Sequence, residues 1–79
     1  MSDNEPGKTF RELREKAGLN ISVLARRANT SNGTIRKAEA GRPIRGDIAQ
    51  RICRVLSLEL HRGLTNSVTP EEAGIEIIP

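Results

Sequence analysis

Two short amphipathic segments follow each other almost without a gap, and this pair constrains the fold more than any other feature of the chain. Asn20 and Ser31 are both favoured helix N-cap residues, and each precedes an apolar pattern with helical spacing. In the first segment the apolar positions are i, i+3, i+4 and i+7, occupied by Ile21, Leu24, Ala25 and Ala28. The pattern predicts two helices of about two turns each, joined by a tight turn at Asn29 and Thr30.

The second of these segments has two faces of opposite character. Ile35 and Ala38 lie on one side, where they can enter a core. At about 100° per residue, the opposite side collects polar or small residues, namely Asn32, Gly33, Arg36, Lys37 and Ala40. Gly41 is a favourable residue at which to end the helix. The pattern therefore predicts a helix that exposes one face to solvent or to a partner.

Helical spacing continues on both sides of the pair. Residues 9–18 predict a first helix with Thr9 as its N-cap, and residues 47–57 predict a fourth. Phe10 is the only aromatic residue among 79, so aliphatic side chains and alanines must fill the core. We expect an all-α fold: a compact domain of four to five helices with a short C-terminal tail.

The chain divides into three parts by composition. Residues 1–8 are predicted to be a disordered lead, residues 9–64 the helical domain, and residues 65–79 a tail. Pro70 suits the first position of a helical turn. Residues 74–79 end in a β-branched run that suits a strand, which would need the same segment of a second copy as its pairing partner. The tail is therefore a possible dimerisation segment.

Positive charge is concentrated in the middle of the chain. Residues 20–45 carry six basic side chains and one acidic side chain, a net charge of +5, whereas residues 46–79 carry −2. This distribution favours a polyanionic partner, although a solvated helical face would have the same composition.

Several classes of protein are excluded or disfavoured by what the sequence contains. One cysteine cannot form an intramolecular disulfide, and one histidine beside it cannot build a Cys/His zinc cluster. No apolar run approaches the ~18 residues of a membrane span. No set of nucleophile, base and orienting residue is apparent. We therefore expect no enzyme activity, cofactor, metal or membrane partner, and a cytoplasmic location.

The paired short helices have the arrangement of a helix-turn-helix, whose second helix can enter the major groove of DNA. Residues 10–64 resemble the Cro/CI (XRE) type of helix-turn-helix domain, found in phage and bacterial repressors. The resemblance rests on three stretches in a fixed order: Gly18–Ala25, with its Leu-Ala; Asn29–Ile35, with its Thr-Ile; and Glu39–Arg42, with its Glu-x-Gly. It implies a lambda-repressor-like fold and sequence-specific binding of double-stranded DNA, as a nucleoid-associated transcriptional regulator that acts as a homodimer.

The candidate DNA-binding residues fall into two groups. Those expected to read bases are Asn32, Gly33, Arg36 and Lys37, with Asn32 suited to adenine. Those expected to contact phosphates are Ser22, Thr34, Arg42 and Arg45. The resemblance also implies a partly buried ion pair between Arg14 and Glu39.

Two departures from the family pattern leave alternatives open. Ile21 stands where the family often has a glutamine that touches phosphate, and Gly33 stands where many relatives have a base-reading side chain. Both departures favour a helix-turn-helix protein that serves as a protein adaptor without binding DNA. A second alternative is the antitoxin of a toxin–antitoxin pair, which would hold a protein partner through its C-terminal tail.

Overall fold

Five α-helices form the described part of the chain, which in this computed structural model is residues 8–79. In chain order they are α1 (Lys8–Lys16), α2 (Ile21–Arg27), α3 (Asn32–Glu39), α4 (Gly46–Glu59) and α5 (Pro70–Ala73), with a 3₁₀ turn at Leu64–Asn66 before α5. The predicted all-α fold is confirmed. Residues 1–7 of the expected disordered lead lie outside the described residues, and Lys8 already belongs to α1.

A single apolar core is shared by the first four helices. Its largest fully buried side chains are Phe10, Leu24, Ile35, Ile52 and Leu56. Complete burial of side chains of this size stabilises the fold by about 1.5–3 kcal/mol each. Because α2, α3 and α4 all contribute to this core, the orientation of α3 is fixed by packing rather than by the turn alone.

Each of the five helices ends in the same way. A residue at or just after the C-cap has a positive φ, and the following amide donates back to a carbonyl of the helix. These residues are Gly18, Asn29, Gly41, His61 and Gly74. This is the Schellman arrangement, which favours glycine and tolerates asparagine. At the start of α1 the predicted cap is wrong, because Thr9 lies inside the helix rather than at its N-cap.

The C-terminal residues pack against the helical domain. Val68, Ala73 and Ile75 join the core. The Ser57 hydroxyl accepts a hydrogen bond from the Val68 amide at 2.8 Å, and Arg62 forms an ion pair with Glu72. The side-chain hydrogen bond from Arg62 lowers the pKa of Glu72. The predicted helical turn that starts with Pro70 is confirmed as α5.

The end of the tail pairs with the helical domain of the same chain. The Ile44 amide donates to Glu76 O at 3.0 Å, and the Ile78 amide donates to Ile44 O at 2.8 Å, so that Ile44 and Ile77 form a parallel β-bridge. The premise that this backbone needs a second copy for its hydrogen bonds is therefore wrong. Dimerisation through the tail stays a prediction.

Cys53 lies on the inner face of α4 and is buried. Burial, together with the nearby negative charges of Glu71 and Glu72, raises the pKa of its thiol to about 11. The thiol is therefore protonated at neutral pH, which disfavours reactivity.

Candidate nucleic-acid interface

The α2 helix is capped at both of its ends, and the second cap forms the turn that leads to α3. Asn20 caps α2 by accepting from the Val23 amide at 2.8 Å, as its sequence position predicts. Asn29 adopts a φ of +57°, and the amide of Thr30 donates to Ala25 O at 2.8 Å. The short turn thus satisfies the backbone groups that the end of α2 would otherwise leave unpaired.

Arg51 of α4 also fixes this turn. Its guanidinium donates to the carbonyls of Ala28 and Asn29, at 3.0 and 3.3 Å. Sequence reasoning missed this residue because nothing in the local pattern around Arg51 links it to a turn more than 20 positions earlier. The contact joins α4 to the end of α2 and so positions the start of α3.

The α3 helix buries one face and exposes the other. Ile35 and Ala38 are buried, at 0% and 1% exposure. The exposed residues of the helix include all four that the sequence assigns to base reading, namely Asn32, Gly33, Arg36 and Lys37. The fold therefore presents this set on one helix surface, and two of its members carry positive charge.

Asn32 and Ser22 contact each other across the helix-turn-helix. Asn32 Nδ2 donates to Ser22 Oγ at 3.1 Å, which links the first turn of α3 to the first turn of α2. The sequence pattern predicts both residues as DNA-binding residues but does not predict their contact, because the contact depends on how the two helices cross. The bond occupies one amide hydrogen of Asn32 and leaves its carbonyl oxygen and second hydrogen for other partners.

Thr34 lies in the same N-terminal turn of α3 but is half-buried. Ser31 caps the helix by accepting from the Thr34 amide at 3.2 Å, and the hydroxyls of Ser31 and Thr34 are 3.1 Å apart. The Thr34 hydroxyl is therefore held locally rather than directed freely outwards.

The loop after α3, residues 42–45, carries two exposed arginines. The Arg42 amide donates to Lys37 O at 2.9 Å, which ties the start of the loop to the end of α3. Arg45 lies immediately before α4, and its side chain forms an exposed ion pair with Asp47 at 3.2 Å. A phosphate that bound Arg45 would have to compete with this carboxylate.

Gly33 is not required by the conformation of the free protein. It is an α3 residue without a positive φ, and an added Cβ would meet only Ser31 Oγ, at an ordinary distance of 3.7 Å. Glycine in a helix is less favourable than alanine by about 0.5–1 kcal/mol. Its presence on the exposed face is therefore unexplained by folding alone.

Arg14 and Glu39 anchor the C-terminal end of α3. Arg14 Nε donates to Glu39 Oε2 at 2.5 Å, and both side chains are largely buried. Arg14 Nη1 also donates to Leu19 O at 2.8 Å. The pair therefore connects α1, the segment after α1, and the last residue of α3.

The family described as Helix-turn-helix matches residues 10–62, about two-thirds of the chain. The chain belongs to this helix-turn-helix family. The Cro/CI-type resemblance is thereby confirmed, and the family is one of DNA-binding regulators. Searches of curated proteins and of solved structures each find no significant match.

Within residues 8–79, no three His, Cys, Asp or Glu side chains come together as a metal site would require. No helix in the same part of the chain is long and apolar enough to cross a bilayer.

Proposed function

We propose that this helix-turn-helix protein is a transcriptional regulator that binds specific sequences of double-stranded DNA as a homodimer. In this proposal α3 lies in the major groove and its exposed face reads the bases. The observation that carries the proposal is that Asn32, Arg36 and Lys37 are exposed on α3, and that the loop tied to the end of α3 carries the exposed Arg42 and Arg45.

The chemistry of this surface suits DNA better than it suits an apolar protein partner. The exposed face of α3 offers amide and cationic groups, which pair with adenine, guanine and phosphate oxygens. Residues 20–45 carry a net charge of +5. Among the described residues, the exposed large apolar side chains are Leu58, Ile77 and Ile78, and Ile78 alone of these lines the cleft beside Lys37 and Arg45. An adaptor surface would be expected to expose a contiguous apolar patch.

Dimerisation follows from the size of one module. A single α3 can contact a few base pairs, whereas two copies related by a two-fold axis read half-sites about one helical turn apart.

The salt dependence of binding tests whether Arg42 and Arg45 contact phosphates. We expect either alanine variant to reduce the magnitude of the slope of log K against log salt by about one. The reason is that each neutralised phosphate contributes about 0.9 to that slope. Binding should weaken to a similar extent on all duplexes. Fluorescence anisotropy with a labelled mixed-sequence duplex at several salt concentrations gives the slope.

Arg54→Ala is the matched control for these variants. Arg54 is an exposed arginine of α4 that lies outside both the α3 face and the 42–45 loop, so its removal changes the net charge equally. Its slope should equal that of the wild type. If Arg54→Ala and Arg45→Ala flatten the slope equally, then the attraction is diffuse and the assigned phosphate contacts are wrong.

Gly33→Ala separates folding from recognition. We expect it to raise the free energy of unfolding by about 0.5 kcal/mol, because alanine is the better helix former and the space for a Cβ is open. The added methyl group should also weaken DNA binding by about tenfold if the α3 backbone lies close to the bases, because an extra group in a close-packed contact is destabilising. Thermal unfolding and anisotropy on the same preparation measure the two effects. A variant that is both more stable and equally tight in binding would show that Gly33 does not face DNA.

A further inference from the structure

The last residues of the chain form a backbone link to the loop that carries the two arginines. Residues 76–78, here called the strap, use both backbone polar groups of Ile44, at 3.0 and 2.8 Å. Ile44 itself is buried, at 3% exposure, and lies between Arg42 and Arg45 in the chain. The middle of the 42–45 loop is therefore held in two ways: the Ile44 side chain packs in the core, and the Ile44 backbone pairs with the strap.

The strap is itself fixed at its base. Ile75, which precedes it, is buried in the core, and its amide donates to Pro70 O at 2.9 Å. Before that, the Glu72 carboxylate forms its ion pair with Arg62, at 2.6 Å. The strap therefore extends from an anchored helix, so that its hold on Ile44 is transmitted to the body of the domain.

The strap also lies beside the proposed DNA-binding surface. A cleft of about 230 Å³ is lined by Ile78 together with Thr34 and Lys37 of α3 and with Arg45. Ile77 covers the first residue of α4, because a Cβ added at Gly46 would lie 3.5 Å from Ile77 Cγ2. The matched family region ends at residue 62, so the strap lies outside it.

We propose that the strap positions the 42–45 loop for phosphate contact, with residues 76–78 acting through Arg45 and Arg42 rather than on DNA directly. This inference rests on the proposed function. A loop that is ordered before binding loses less conformational entropy when it grips a phosphate. By pairing with Ile44, the strap supplies that order at a site more than 30 residues away in sequence.

Ile78→Pro tests the proposal in the full chain, with Ile78→Ala as its matched control. Proline removes the amide that donates to Ile44 O, whereas alanine keeps this amide and removes only a half-exposed side chain. We expect Ile78→Pro to flatten the salt slope on a mixed-sequence duplex by about one to two and to weaken binding about five- to tenfold, since each phosphate contact contributes about 0.9 to the slope. Ile78→Ala should keep the wild-type slope.

Coupling to Arg45 separates a positioning role from a general loss of stability. In a background that lacks both loop arginines, Arg42→Ala with Arg45→Ala, Ile78→Pro should have a much smaller effect on binding, because the contacts that the strap positions are already absent. In an Arg36→Ala background its effect should be undiminished. Should Ile78→Pro unfold the protein, Ile77→Gly provides the same test, because it loosens the strap while keeping every amide.

Two results would overturn the proposal. One is a lowered unfolding temperature for Ile78→Pro with unchanged affinity and slope, which would give the strap a structural role only. The other is a full additional loss in the background that lacks both Arg42 and Arg45. Wild-type protein that fails to bind the duplex at all would instead refute the proposed function, and the positioning role with it.

Discussion

Replacement of Arg14 by methionine is expected to lower the free energy of unfolding by about 3–5 kcal/mol, the range for removing one partner of a buried ion pair. The Arg14 and Glu39 side chains are only 12% and 16% exposed, so the carboxylate left behind would be poorly solvated. The same substitution leaves the Leu19 carbonyl without its donor. Urea denaturation followed by circular dichroism measures the loss.

The double variant Arg14→Met with Glu39→Leu should recover much of this loss, because it removes both charges together. Recovery should be incomplete, since the Leu19 carbonyl remains without Arg14. Arg27 and Glu59 provide the matched control: their ion pair is 2.7 Å long but 35% and 37% exposed. Arg27→Met should cost no more than about 1 kcal/mol. Additive losses at Arg14 and Glu39 would contradict the account of a coupled pair.

This pair matters for function because of where it lies. It joins α1 to the last residue of α3, so its loss should also loosen the helix that is proposed to read bases. Arg14→Met protein that is still folded should bind DNA more weakly than its stability alone predicts.

Asn32→Ala is expected to change which bases the protein prefers. If Asn32 reads adenine, the variant should lose about 1–3 kcal/mol, or roughly 5- to 150-fold, at one base position and little elsewhere. Ser22→Ala should relax the same position to a smaller degree, because the amide stays but loses the hydroxyl that orients it at 3.1 Å. Lys37→Ala should relax a different position. Competition binding with duplexes that differ at single base pairs measures each effect.

Arg26→Ala is the control for these substitutions. Arg26 is exposed on α2, outside the α3 face, and its removal should lower affinity for all duplexes alike if it has any effect. If the base preference shifts in the Arg26 variant but not in the Asn32 variant, then α2 rather than α3 reads the bases.

The parts of this fold that sequence predicts are those with local signals. Asn20 and Ser31 cap the helices that they precede, and Asn29 adopts the left-handed conformation that its side chain tolerates. Helical spacing likewise separates the buried Ile35 from the exposed Lys37. Each of these features depends on residues within one or two turns of each other.

The features that sequence misses depend on contacts between distant residues. The bond from Arg51 to the α2–α3 turn, the pairing of Ile44 with the strap, and the contact between Asn32 and Ser22 all join separate elements. A β-branched run near the end of a chain predicts that the segment pairs as a strand. It does not predict the partner, because the alternation of side chains along a strand does not specify which backbone segment it pairs with. The Arg14–Glu39 contact was expected only because the family resemblance supplied it.

The central claim is that α3 reads DNA sequence, and the most direct test is a selection of wild-type protein on random duplexes, read out by sequencing. The account predicts enrichment of one motif that contains two half-sites related by a two-fold axis. The centres of the half-sites should be about 10 base pairs apart, which is one helical turn, or a multiple of that distance. The Asn32→Ala variant should enrich a motif that is degenerate at one position in each half-site. A selected pool that is indistinguishable from the starting library, under salt conditions where the protein binds DNA, would contradict sequence reading by this helix.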